Sequence, residues 1–159
     1  MNKQAMENRI PEGTIDFETY LKENGSLTYW NRGASMRPLI RQDKDLFTVL
    51  PKTRGRCQKY DVVLYKRHNG VYVLHRILKV REDDYGILGD NTYKMEYGIT
   101  DRDILGVMTA FSRGGKSWTS VESAGYRFYV RFWFAIYPLR KAFVAGRRLA
   151  ARIYHRIAK

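Results

Sequence analysis

Residues 61–80 read DVVLYKRHNGVYVLHRILKV. Both ends of this stretch are rich in Val, Leu, Ile and Tyr, which favour strands, whereas His68-Asn-Gly70 between them is typical of a tight turn. The pattern therefore predicts an antiparallel hairpin with strands over 61–67 and 71–80.

Shorter strand-like segments lie on both sides of this hairpin, separated by turn residues. We predict them over 27–31, 46–50, 87–91, 104–111 and 117–121. This many short strands predicts a mainly β fold, a small antiparallel β-domain over 26–122. Ahead of it, 1–25 are predicted to be a flexible lead and a short helix over 15–24, which Thr14 caps and Gly25 ends.

The remaining residues, 123–159, are predicted to be a basic, aromatic and amphipathic helical tail. The net charge of the chain is +13, and residues 126–159 hold nine Lys or Arg and no Asp or Glu. Within 139–158 the apolar residues recur at helical spacing with Arg and Lys opposite, and Pro138 separates them from an aromatic segment. Such a helix binds an anionic membrane surface, the partner that we expect. The alternative is that residues 126–137 pack on the β-domain and the rest of the tail is a solvated basic helix.

Several classes of protein do not fit the sequence. The polar N-terminus lacks the apolar run of a secretory signal, and no stretch of about 18 uncharged apolar residues predicts a transmembrane helix. The single cysteine, Cys57, excludes an intramolecular disulfide and a cysteine-based metal cage. We expect a peripheral membrane protein, without deciding which side of the membrane it occupies, and otherwise a cytoplasmic one. We expect it to need no cofactor and no metal.

Three short segments carry residues suited to chemistry: Gly33-Ala-Ser-Met-Arg-Pro38, Val73-Leu-His-Arg-Ile77 and Gly89-Asp-Asn91. Each alone is common, since a serine in a turn usually caps it and a histidine on a strand is usually a core residue. A serine hydroxyl becomes a nucleophile when a base lies within hydrogen-bond reach. His75 shares a strand face with Val73 and Ile77, so it should point into the packed side of the sheet. Ser35 is thus the candidate nucleophile and His75 its base, with activity rising through an imidazole pKa near ~6.5.

The ordered combination of these segments resembles the signal-peptidase superfamily, which also contains the LexA-type self-cleaving repressors. The likeness runs from residue 30 to about residue 110 and consists of Ser-Met-Arg-Pro, the strand pair Asp-Val-Val-Leu-Tyr and Val-Leu-His-Arg-Ile, and Gly-Asp-Asn. Bacterial signal peptidases and the repressors use lysine as the base, whereas the endoplasmic-reticulum and archaeal type uses histidine, followed by Arg and an aliphatic residue. His75-Arg-Ile77 matches the histidine branch.

The resemblance implies a serine endopeptidase that cleaves signal or leader peptides at or near a membrane. The substrate would lie extended against a strand edge, Ser35 would attack the scissile carbonyl, and His75 would take the proton. The resemblance also implies an acid, a few residues beyond Gly-Asp-Asn, that orients the histidine. Glu96, six residues after Asp90, matches that position, although the family has Asp there. Asp90 belongs to the motif itself and could orient His75 or hold the turn. We rank these two equally, ahead of Asp101 and Asp103.

Two features depart from the family pattern. Gly33 stands two residues before Ser35, where many relatives carry a serine hydroxyl that helps to stabilise the oxyanion, and no transmembrane anchor precedes the serine. Two other functions stay open: a catalytically idle, membrane-associated peptide-binding member of the same fold, and a LexA-like self-cleaving regulator. No helix-turn-helix pattern precedes the β-domain, so no nucleic-acid partner is expected, although the tail could bind phosphates non-specifically.

Overall fold

The computed structural model describes residues 16–53 and 55–146. Within them the chain is mainly β, with eight strands in one antiparallel sheet and three helices, two of which follow the last strand. The predicted fold class, a small antiparallel β-domain with a helical C-terminal tail, is confirmed. The chain up to Ser123 forms one compact unit, and the chain from Ala124 onwards forms a second.

The strands are β1 (Leu27–Trp30), β2 (Asp45–Pro51), β3 (Val62–Lys66), β4 (Tyr72–Val80), β5 (Tyr85–Leu88), β6 (Glu96–Ile99), β7 (Ile104–Arg113) and β8 (Ser117–Ser120). The helices are α1 (Phe17–Asn24), α2 (Ala124–Ala135) and α3, which covers 137–146. The sheet has the strand order β1-β2-β7-β3-β4-β5-β6, and β8 pairs with β7. Strands β3 to β6 are therefore consecutive neighbours, and they carry most of the candidate site.

The short helix α1 begins two residues later than predicted. Its N-cap is Asp16, whose carboxylate accepts a hydrogen bond from the backbone N–H of Thr19. Gly25 ends it as predicted, because its φ of 68° favours a residue without a side chain. Thr14, the predicted cap, lies outside the described residues.

The predicted hairpin is present as β3 and β4, in which Val63 lies opposite His75 and Tyr65 opposite Val73. Residues that lie opposite each other project from the same face of a sheet, so Tyr65 and His75 share a face. Val63, Tyr65 and Ile77 on this face belong to the hydrophobic core. His75 is accordingly only 8% exposed, as the alternation along its strand predicts.

Two strands differ from the sequence prediction. β5 starts and ends earlier than expected, so Gly89-Asp-Asn91 forms a turn after the strand. β6 has no counterpart in the prediction, because its four residues do not alternate and include Gly98, whose φ is 79°. Its first residue, Glu96, pairs with Ile87 of β5 and thereby joins the sheet beside the candidate site.

The second unit is described up to residue 146. The backbone turns at Ile136 between α2 and α3, but two 3.1 Å bonds, from Ile136 N–H to Phe132 and from Arg140 N–H to Ile136, continue the helical pattern. Pro138 lies in the first turn of α3, where its missing N–H needs no partner. In the described part of the chain, no helix is long and apolar enough to cross a membrane. The rest of the predicted tail, 147–159, lies outside the described residues.

Candidate active site

Ser35 lies in the loop between β1 and β2, and a buried asparagine holds that loop. Asn31 donates from Nδ2 to the carbonyl of Gly33 at 2.6 Å and from its backbone N–H to the carbonyl of Asp45 at 3.0 Å. Met36, the residue after Ser35, is fully buried. The loop is therefore fixed in the structure, while the Ser35 side chain stays partly exposed.

The Gly-Asp-Asn turn is bonded directly to the Ser35 loop. Asn91 donates its backbone N–H to the carbonyl oxygen of Ser35 at 2.7 Å, and its Nδ2 to that of Ala34 at 3.3 Å. Gly89 lies against both neighbours: a Cβ on it would come 2.8 Å from the Ser35 carbonyl oxygen and 2.9 Å from His75 Nε2. These approaches are too close for any side chain, so the position requires glycine. The three segments singled out in the sequence meet at this point.

His75 is a neutral imidazole at physiological pH. Burial lowers its pKa to about 4; the Glu96 carboxylate opposes this shift and the Arg67 guanidinium adds to it. This pKa lies below the ~6.5 expected for an unperturbed histidine, so the ring stays neutral over a wider pH range, although it is a weaker base than an exposed histidine. Its Nε2 faces the Gly-Asp-Asn turn, and its Nδ1 lies 3.3 Å from the hydroxyl of Tyr65.

Glu96 reaches His75 through Tyr65, a residue that the sequence analysis does not single out. The Tyr65 hydroxyl donates to Glu96 Oε2 at 2.9 Å and also lies beside His75 Nδ1. Arg67 binds both carboxylate oxygens, at 2.8 Å and 2.6 Å, and holds the pKa of Glu96 below its usual value. The period-two alternation along β3 puts Tyr65 on the His75 face, and this is the signal that could have identified it.

Asp90, ranked equally with Glu96 in the sequence, binds a different partner. Its two oxygens accept hydrogen bonds from Nε and Nη2 of Arg76, both at 2.9 Å, and both side chains are fully buried. Arg76 follows His75 on β4 and so projects from the opposite face of the strand. Of the lower-ranked acids, Asp101 accepts from a buried tyrosine and Asp103 from the backbone of its own loop.

An apolar cleft of about 590 Å³ opens beside Ser35 and His75. Its other lining residues are mostly aromatic or aliphatic: Phe17, Tyr29, Trp30, Asn31, Arg32, Gly33, Phe47, Leu64, Arg67, Tyr72, Val73 and Leu74. Phe17 of α1 packs between two strands here, with its ring centroid 4.9 Å from those of Tyr29 on β1 and Tyr72 on β4. The cleft therefore has the apolar character that an extended hydrophobic segment needs.

Among the described residues, no hydrogen bond joins Ser35 Oγ to His75 Nε2, although both residues line the cleft. Catalytic hydrogen bonds are often long in free enzymes and tighten when substrate binds. In the same described ranges, no three His, Cys, Asp or Glu side chains lie close enough together to hold a metal ion.

No family model and no curated protein matches this chain. The residues that bear on function are a serine on a fixed loop, a buried neutral histidine, and a carboxylate that reaches the histidine through a tyrosine.

Proposed function

We propose that this protein is a serine endopeptidase of the signal-peptidase type, which cleaves signal or leader peptides with Ser35 as nucleophile and His75 as base. One observation carries the proposal: the carbonyl oxygen of Ser35 and the Nε2 of a buried, neutral histidine would lie 2.8 Å and 2.9 Å from a Cβ on Gly89, so both groups flank this one glycine. A loop that served only to connect β1 with β2 would not require this approach.

In the proposed reaction, Ser35 Oγ attacks the carbonyl carbon of the scissile peptide bond while its proton passes to His75 Nε2. The backbone N–H of Ser35 stabilises the oxyanion that forms. When this intermediate collapses, the C–N bond breaks and His75 returns the proton to the leaving amine. Water, activated by the same histidine, then hydrolyses the acyl ester and regenerates the serine.

The cleft supports a peptide as the substrate. β1 stands at one end of the strand order, so an extended peptide can add to its outer edge by main-chain hydrogen bonds. Tyr29 and Trp30 of β1 line the cleft, together with Leu64 of β3 and Leu74 of β4. An apolar, extended segment of the kind found in signal and leader peptides suits this lining.

Labelling with a fluorophosphonate tests the nucleophile without a known substrate. The serine oxygen displaces fluoride from phosphorus, so mass spectrometry should find the label on Ser35. Ser35→Ala and His75→Ala should abolish labelling, whereas Ser117→Ala, an exposed serine of β8, should label like the wild type. Ser35→Ala removes only a turn hydroxyl and should change the unfolding temperature little, so its loss of labelling would not come from unfolding. A wild-type protein that is not labelled would show the proposal to be wrong.

A catalytically idle, peptide-binding protein of the same fold is the second candidate. It is favoured by the lack, within the described residues, of a hydrogen bond between Ser35 Oγ and His75. In that case an apolar peptide should bind the wild type and Ser35→Ala equally well, and neither protein should react with the fluorophosphonate.

We also propose that α2 and α3 bind the protein to an anionic membrane surface. Four large apolar side chains, between 53% and 72% exposed, lie there: Phe128, Phe132, Leu139 and Phe143. Their spacings of four, seven and four residues put them on one side of a helix. Arg127, Arg131 and Lys141 are also exposed, and the sequence from residue 123 onwards contains no acid. Apolar burial flanked by positive charge matches a bilayer with anionic headgroups.

Sedimentation with vesicles tests this surface. The intact chain should sediment with phosphatidylglycerol/phosphatidylcholine vesicles, less with phosphatidylcholine alone, and less at high salt. Phe128→Ser/Phe132→Ser should weaken binding about tenfold or more. Val71→Ser/Val80→Ser, which changes apolar residues of the β-unit that are 49% and 45% exposed, is the matched control. A protein that ignores anionic vesicles but dimerises in the ultracentrifuge would mean that a second copy covers this face.

A further inference from the structure

A chain of hydrogen bonds runs from His75 through the buried Tyr65 and ends at a partly exposed ion pair. His75 Nδ1 lies 3.3 Å from the Tyr65 hydroxyl, which lies 2.9 Å from Glu96 Oε2, and Arg67 binds both oxygens of that carboxylate. Tyr65 is fully buried, so its hydroxyl has to find its partners inside the protein.

The positions of the protons along this chain follow from its far end. Arg67 is a donor only, and its contact keeps the Glu96 carboxyl ionised by lowering its pKa. An ionised carboxylate only accepts hydrogen bonds, so the single hydroxyl proton of Tyr65 points to Glu96. The Tyr65 oxygen then has only lone pairs to offer to His75. A neutral His75 can bond it only by carrying its own proton on Nδ1.

We infer that Tyr65 is a positioning residue that fixes the tautomer of His75, with the proton on Nδ1 and the lone pair on Nε2. Nε2 is the nitrogen that faces Gly89 and the Ser35 loop. The other tautomer would place a proton there, and Nε2 could not then accept one from Ser35. The catalytic consequence rests on the proposed peptidase function, whereas the tautomer itself does not.

The surrounding charges support this assignment. Burial and the nearby Glu96 carboxylate raise the pKa of Tyr65 well above its usual value, so the hydroxyl keeps its proton. The charged groups that act on His75 are Glu96 from β6, Arg67 from the end of β3 and Asp90 from the turn after β5. The two carboxylates favour the imidazolium that forms when Nε2 takes the serine proton, and Tyr65 links it to one of them by hydrogen bonds.

Two measurements on the full chain test the inference. The ¹⁵N chemical shifts of His75 in the wild type at pH 7 should report a proton on Nδ1. Tyr65→Phe should weaken that preference and slow the reaction of Ser35 with a fluorophosphonate by about 10- to 100-fold. Tyr85→Phe is the matched control, because Tyr85 is a buried tyrosine of the same core that donates to Asp101 at 2.6 Å. It should leave both the tautomer and the labelling rate unchanged.

A double variant distinguishes an effect of Glu96 on His75 that passes through the Tyr65 hydroxyl from a purely structural role of the two residues. Glu96→Gln alone should also slow labelling, but Tyr65→Phe/Glu96→Gln should lose less than the two single losses combined, because part of the effect of Glu96 on His75 passes through the hydroxyl. If NMR shows the proton of wild-type His75 on Nε2, the inference is overturned, whether or not the protein is labelled. A Tyr65→Phe protein that is labelled at the wild-type rate also overturns it. If the wild type has the expected tautomer but is never labelled, the peptidase proposal fails and the assignment of Tyr65 stands.

Discussion

Asp90 and Glu96 are two carboxylates near the candidate base, and the protein surrounds them in opposite ways. Asp90 is sealed with Arg76 in a bidentate pair in which neither side chain has any exposed surface. Glu96 is 25% exposed, its partner Arg67 is 38% exposed, and its Oε2 also accepts the hydroxyl of Tyr65.

The difference separates a structural acid from one that can take part in chemistry. A sealed ion pair depends on both partners, because removing either leaves a buried charge without compensation. A partly exposed carboxylate tolerates a change in its partner, since water can replace what is lost. Asp90 therefore holds the turn that carries Gly89, whereas Glu96 can respond to the charge on His75.

Matched amide substitutions should give the largest contrast. Asp90→Asn leaves the buried Arg76 guanidinium without its counter-charge and should lower the free energy of unfolding by about 3 kcal/mol. Glu96→Gln should lower it by about 1 kcal/mol or less. Urea unfolding at pH 7 measures both. Equal losses in the two variants would mean that the Asp90 pair is no more structural than the Glu96 pair.

The next largest effect should come from adding a side chain at Gly89, where the Asp90 turn meets the Ser35 loop and His75. A methyl group at Gly89 would push against the Ser35 carbonyl and the His75 ring, so Gly89→Ala should slow fluorophosphonate labelling by about 100-fold, or ~2.7 kcal/mol. Gly86→Ala, in the strand that precedes this turn, is the control, because the atoms nearest to its methyl group would belong to the side chains of Lys79 and Tyr97 and not to backbone. Labelling of Gly89→Ala at the rate of Gly86→Ala would contradict the close approach.

Most of the fold could be predicted from local patterns. The β3–β4 hairpin follows from alternating residues around His68-Asn-Gly70, and the pairing of β7 with β8 follows from the Gly-Gly turn between them. β6 could not be predicted, because four residues that include a glycine with positive φ gain their strand character only from pairing with β5.

The part of the candidate site that depends on local sequence was also predictable. The turn chemistry of Ser35 and Gly89 and the burial of His75 are local properties that the sequence carries. The choice between Glu96 and Asp90 depends on which cation and which hydroxyl each acid meets across the sheet. Those partners, Arg67 and Tyr65 for one and Arg76 for the other, come from strand register, which the spacing of motifs does not reveal.

The pH dependence should reflect the environment of His75 in the Glu96 region. A protonated imidazole cannot act as a base, so reaction with a fluorophosphonate should be lost as the pH falls through the pKa of His75 in the folded protein, which burial lowers to about 4. The labelling rate should therefore be nearly flat from about pH 6 to 8 and fall by half near pH 4. The NMR titration of His75 should have the same midpoint. A midpoint near ~6.5 in both experiments would mean that the ring is more hydrated than its burial indicates.

The smallest expected effect is a gain, and it concerns the Ser35 side of the site alone. A Cβ on Gly33 would lie 3.8 Å from Ser35 Oγ with nothing closer, so a serine fits at this position and its hydroxyl could reach an oxyanion next to Ser35. Gly33→Ser should therefore speed fluorophosphonate labelling by about two- to tenfold. This gain is smaller than the rate acceleration from a preorganised oxyanion donor, because the new serine side chain has to be ordered first. Gly33→Ala supplies the same Cβ without the hydroxyl and should label at the wild-type rate. Neither variant touches the Asp90–Arg76 pair, so urea unfolding should be unchanged in both. If Gly33→Ser is no faster than Gly33→Ala, the backbone N–H of Ser35 and its neighbours already supply the oxyanion donors that this site uses.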